Sequence, residues 1–277
     1  MRAEVEARHG RTYDVLVGVR WALVAVMVWA AGGGFEAVLA HPEDEICGPG
    51  STINPALCRQ LAEINRSAAE LTQPLLSEDG EPLSALGAAW YFLKIGVQHI
   101  LPGGTDHILF VLALFLSSQR LRELVLQIST FTVAHTATLG LTAAGVIQPP
   151  ASVVEPLIAL SIAFVAVETL IFKDIRRWRY LIIFGFGLFH GMGFAGFISE
   201  IGLPTEQFWP ALFGFNIGVE IGQLAVVFVA YFVGLYIKRE FLTRPESYRR
   251  YVVQPAAVLI AATGSWWFLT RSLEGLL

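Results

Sequence analysis

Charge is scarce in this sequence: Asp, Glu, Lys and Arg make up 15% of its 277 residues, against roughly 25% in ordinary soluble domains. With 55% hydrophobic residues and a mean hydropathy of +0.58, the chain is built for lipid. No basic run interleaved with aromatics lies outside the apolar segments, which argues against a nucleic-acid partner. No phosphate-cradling glycine-rich P-loop is visible, so the chain does not itself hydrolyse ATP. Internal repeats and low-complexity tracts are lacking too, and the inverted-repeat plan of many transporters therefore has no support in the sequence.

Cysteine is nearly absent. The two that exist, Cys47 and Cys58, sit together in a hydrophilic stretch with Pro49 and Pro55. Two cysteines so close in one polar loop suit an oxidising compartment, so a disulfide is expected and the loop is placed outside the cytoplasm. A reduced pair or a two-ligand metal site is the alternative.

What the sequence has in abundance is apolar runs near the length of about 20 residues that crosses a bilayer. The first, 15–40, follows Arg2, Arg8 and Arg11 and ends in Val38-Leu39-Ala40. A cleaved signal peptide and a retained anchor helix both fit that pattern. Residues 41–84 then form an acidic, extracytoplasmic loop carrying Glu43, Asp44, Glu45, Glu63, Glu70, Glu78, Asp79 and Glu81 against Arg59 and Arg66. An aromatic-rich helix at 85–101 is interrupted by Pro102-Gly103-Gly104 before an apolar stretch at 108–116. Chain breaks at membrane depth survive only where protein or a cavity surrounds them, so the break marks a candidate site. Further spans are expected at 124–146, 152–172, 180–201, 208–237 and 252–269.

The expected fold is therefore an all-α polytopic bundle of about six or seven transmembrane helices, with 85–277 forming the bundle itself. Arg120 and Arg122, then Lys173, Arg176, Arg177 and Arg179, then Lys238, Arg239, Arg244, Arg249 and Arg250 fall in alternate connections. The excess of basic residues on cytoplasmic loops orients the chain in an inner (cytoplasmic) membrane, with its N-terminus inside if the first segment is not cleaved.

Ionisable groups at membrane depth are expensive and mark partners or pathways. His99, Asp106, His107, His135, Glu155, Glu168, His190 and Glu220 all lie in or beside spans. Each could be an interhelical strut, but all four histidines beyond position 41 share this placement, which independent struts would not require. Imidazole with carboxylate suits nickel, zinc, cobalt, iron or copper, and the lack of membrane cysteines argues against a thiolate site. His99, Asp106, His107, His135, His190 and Glu220 are the candidate metal ligands. Asp106 would either bind the ion or orient an imidazole. Glu155 and Asn216 are secondary candidates, Asn216 lying four residues from Glu220 on one helical face. His99, Asp106 and His107 are expected at an outer mouth, with His135 and His190 deeper. Gly187, Gly191 and Ala195 repeat every four residues and let a neighbouring helix approach the His190 span closely.

The runs His99-Ile100-Leu101-Pro102-Gly103-Gly104-Thr105-Asp106-His107, Phe131-Thr132-Val133-Ala134-His135-Thr136, Val154-Glu155-Pro156, Gly187-Leu188-Phe189-His190-Gly191-Met192-Gly193 and Phe215-Asn216-Ile217-Gly218-Val219-Glu220, in this order over about 88–230, strongly resemble the HupE/UreJ family. The resemblance implies association with hydrogenase and urease systems, nickel permeation, and metalloenzyme maturation proteins as partners. Three functions follow: a permease for a divalent transition metal, nickel first; an intramembrane zinc hydrolase with Asp106 or Glu220 as general base on metal-bound water; or a non-catalytic subunit of a membrane complex.

Overall fold

A computed structural model describes residues 83–118, 120–172, 178–194, 207–240 and 244–274. The N-terminal apolar run, the acidic loop and the expected Cys47–Cys58 disulfide lie outside the described residues. Among those described, all regular structure is helical.

Helix α1 (Ala85–Ile100) begins at Ser84, whose hydroxyl accepts the Gly87 N–H at 3.2 Å, a side-chain cap for an otherwise orphaned donor. It stops at a cis Leu101–Pro102 peptide. Helix α2 (Thr105–Ser117) then departs at 71°. Gly104 makes this sharp turn sterically open, since a Cβ there would strike the His99 carbonyl oxygen. The Pro-Gly-Gly break thus bends the chain and presents His99 and His107 to each other, their ring centroids 4.9 Å apart.

Helices α3 (Leu121–Ala143), α4 (Ala151–Ile171), α5 (Arg179–Gly193) and α6 (Phe208–Glu240) follow. A short α7 (Pro245–Tyr248) passes through a π-helical turn, Arg249–Val253, into α8 (Gln254–Glu274). Helices α3, α4, α6 and the 246–274 run are long and apolar enough to span a bilayer, and α1 with α2 makes a fifth if counted as one broken span. Six or seven spans were expected. The described residues show four or five, because the 15-residue α5 is too short to be counted and the N-terminal run is not described.

The helices pack mainly in pairs, α1 with α6, α3 with α5 and α4 with α8, while α2 lies against α4 and α6. Small residues set the first two contacts. Gly214 and Gly218 of α6 abut the backbone of Ala89 and Leu93, and Gly187 and Gly191 of α5 abut the Phe131 and His135 carbonyls. Such a spacing of glycines lets helix backbones meet in the absence of any hydrophobic drive between helices in lipid. For α5 the close approach has a functional result, because it carries His190 in beside His135. On the outside, α6 turns Phe228, Val229, Phe232 and Val233 outward, each more than half exposed, as a lipid-facing helix does.

Candidate metal centre

Four histidines from four helices meet in the middle of the bundle. His107, in the first turn of α2, is the hub: its ring centroid lies 4.9 Å from His99 of α1, 5.7 Å from His135 of α3 and 4.9 Å from His190 of α5. Ring nitrogens of His99, His107 and His135 all lie within 4.8 Å of one another, and His190 borders this triad through His107. Instead of a mouth and a deeper layer, the four form one layer. The reason is the bend at Pro102-Gly103-Gly104, which brings the end of α1 and the start of α2 together.

The surroundings are dry. His107, His135 and His190 are buried, and Phe110, Phe131, Phe194 and Phe215 pack their rings against the imidazoles, Phe194 at 4.0 Å from His99 and Phe131 at 5.0 Å from His190. Nevertheless His99 Nε2, His107 Nε2, His135 Nε2 and His190 Nδ1 are buried without a hydrogen-bond partner. A buried polar atom left unpaired costs about 1–3 kcal/mol, and four in one cluster call for a common explanation.

Hydrogen bonding supplies one. The Asn216 amide nitrogen donates to the Leu212 carbonyl at 2.8 Å, which fixes the amide so that its oxygen faces His135 Nδ1 at 3.0 Å. An amide oxygen only accepts, so Nδ1 carries the proton and Nε2 keeps a free lone pair. His190 obeys the same logic with the nitrogens reversed. The Ser161 hydroxyl spends its proton on the Ile158 carbonyl at 2.6 Å and therefore accepts from His190 Nε2 at 3.0 Å, leaving the lone pair on Nδ1. In both rings the nitrogen without a partner is the one able to bind a metal. Orientation of a ligating imidazole through its second nitrogen is the usual arrangement around protein-bound metals.

The carboxylates stand elsewhere. Asp106 is gripped by Arg271 of α8, Nη1 to Oδ2 at 2.9 Å and Nη2 to Oδ1 at 3.4 Å. Glu220 accepts a 2.6 Å hydrogen bond from Ser129 and lines a cavity of about 600 Å³ between α3 and α6, together with Thr132, Thr136 and Asn216. Glu155 is half-buried and offers its backbone carbonyl to Arg271 at 3.4 Å. Glu168 pairs with Arg179 at 3.3 Å at the other end of α4. Of the six ligands expected, the structure brings together the four histidines and leaves Asp106 and Glu220 on other partners.

Ser161 and Arg271 were missed by sequence reasoning. Ser161 has a weak signal, a lone hydroxyl in the apolar face of α4. Arg271 has none, because its partner Asp106 is 165 positions away. Gln127 and Gln223 are also buried, with amide atoms lacking partners.

The described residues thus present an imidazole donor set, which suits borderline transition metals and not the oxygen-seeking magnesium or calcium. A family model described as HupE / UreJ protein matches residues 81–271, while no curated protein and no solved structure matches the chain. The match extends beyond the 88–230 stretch that carried the resemblance and takes in the last helix up to Arg271. A membrane bundle with these motifs and a match over most of its length, the chain belongs to the HupE / UreJ family.

Proposed function

We propose that the protein is a membrane permease for a divalent transition metal, nickel foremost, and that His99, His107, His135 and His190 hold the ion in transit. The observation that carries this reading is the pair of hydrogen bonds from Asn216 and Ser161, which leave the free lone pairs of His135 and His190 among the unpartnered nitrogens of one cluster. The donor set also matches an ion that must leave again. Neutral imidazoles do not cancel its charge, so the ion is bound without being trapped, as conduction requires.

On the orientation that basic loops dictate, the Arg179 end of the bundle faces the cytoplasm and residues 41–84 face outward, in an inner membrane. Metalloenzyme maturation proteins are the partners that would receive the ion, as membership of the family suggests. Uptake of radioactive nickel, cobalt and zinc into cells tests the reading. His107→Ala and His190→Ala should each abolish accumulation, and transport unaffected by both would end the proposal.

One observation favours a second reading, an intramembrane zinc hydrolase. The cavity between α3 and α6 reaches Asn216, which holds His135, and has Glu220 on its wall, so a membrane-embedded substrate has a place beside a three-histidine group. An enzyme of this kind would purify with about one tightly held zinc, as catalytic zinc sites do. A permease would purify largely empty.

A further inference from the structure

Arg271 is held from three sides. Its guanidinium forks onto both oxygens of Asp106, donates to the Glu155 carbonyl, and lies with its Cζ 5.2 Å from the Trp267 ring centroid. The side chains of Arg271 and Asp106 are 14% and 18% exposed, so the pair is partly desolvated, and a two-pronged arginine–carboxylate contact is among the stronger protein hydrogen-bond arrangements. Asp106 immediately precedes the hub residue His107 in the first turn of α2. It is the carboxylate nearest in sequence to the imidazole layer, and the arginine occupies it.

We propose that Arg271 sets how tightly the imidazole layer holds its cation, by keeping the Asp106 carboxylate out of the ion's reach; this rests on the metal reading above. A divalent ion bound by neutral imidazoles in an aromatic enclosure retains its full double charge in a medium of low dielectric, where uncompensated charge is costly. If Asp106 joined the ligands, the complex would fall to a single net charge and gain a strong attraction at close range. The first arrangement releases its ion readily. The second stores it. Arg271 selects the first, because the carboxylate cannot serve the guanidinium and the metal at once, and a helix some 165 residues along the chain thereby acts as an affinity-determining element of a site it does not touch.

Cobalt(II) titration of the full-length protein in detergent, in competition with a chelator, tests this. Arg271→Gln should bind cobalt roughly tenfold or more tighter than wild type. Asp106→Asn should stay within about threefold of wild type, and the double variant should match Asp106→Asn, the gain vanishing with the carboxylate that causes it. Arg271→Lys, which keeps the charge, should stay near wild type. Tightening that persists in the double variant overturns the proposal, as does an Arg271→Gln protein that binds no tighter than wild type. Should Arg271→Gln fail to fold, Arg271→Met takes its place with the same two outcomes, and a loss of about tenfold or more in Asp106→Asn means that Asp106 already binds the ion and the proposal is wrong. A wild type that binds no cobalt removes the metal reading and this proposal together, whereas normal wild-type binding with no effect of Arg271 removes only the proposal.

Discussion

The two ends of α4 carry the same device in different settings. Near its start, Arg271 reaches the Glu155 carbonyl while holding Asp106; near its finish, Glu168 holds Arg179. Ser161, the hydrogen-bond partner of His190, lies between them, about 9 Å along the helix from Glu155 and about 10 Å from Glu168 by helical rise. The Asp106 pair keeps contact with solvent and stands next to the imidazole layer. The Glu168 pair is buried at 4% and 7% exposure, and Ile162 and Val165, which lie between Ser161 and Glu168 on α4, belong to a core cluster with Phe110, Leu114, Ile128 and Ile183. The contrast assigns different work to similar pairs. On the proposed reading one pair adjusts the metal site, and the other ties α4 to α5 at the far end of α4.

The sharpest way to break this comparison is to remove one partner from each pair and measure unfolding in detergent. Glu168→Ala should cost about 3–5 kcal/mol, since it strands the Arg179 guanidinium in the interior, where its Nε and Nη2 already lack hydrogen bonds. A cost near zero would make the two ends equivalent. Asp106→Asn should cost less than Glu168→Ala, because its pair keeps some solvent at 14% and 18% exposure and the asparagine oxygen still accepts from Arg271.

Between these limits fall the effects on metal binding. His107→Ala removes the hub and should weaken cobalt or nickel binding by about 100-fold or more, measured by chelator competition, since even indirect supports of a metal ligand are worth about 10–100-fold. Asn216→Leu and Ser161→Ala leave every imidazole in place and free the tautomers, so each should weaken binding by about tenfold. If either matched His107→Ala, the imidazoles would not be the primary donors. Comparable in size is Gly191→Ala, whose methyl would press on the His135 carbonyl and the Thr138 hydroxyl. Overpacking of this kind costs about 1–3 kcal/mol and should lower thermal stability and metal affinity together.

Much of this site was legible in the sequence, for a physical reason: a histidine inside a hydrophobic run is conspicuous because lipid makes it costly. His99, His107, His135 and His190 announced themselves in that way, and the Pro-Gly-Gly break announced the turn that gathers them. Partner choice was not legible. Asn216 and Glu220 lie four residues apart and were expected to share one site; they do line one cavity, yet a helix advances about 40° beyond a full turn over that distance, and α3 gives them different partners, His135 for Asn216 and Ser129 for Glu220. Asp106 looked like a ligand because it adjoins His107; only the return of α8 beside α2 shows the arginine that claims it. The grouping was not legible either, since a bend between two helices decides whether His99 meets the other histidines, and hydropathy is blind to bends.

The measurement that bears most directly on the central claim is X-ray absorption spectroscopy of the cobalt- or nickel-loaded full-length protein. The structure predicts a first shell of nitrogen at about 2.0–2.1 Å, with outer-shell scattering from the rings of at least the three grouped histidines, His99, His107 and His135, and its loss in His107→Ala. A shell of oxygen alone, or an imidazole signal unchanged by that substitution, would contradict it.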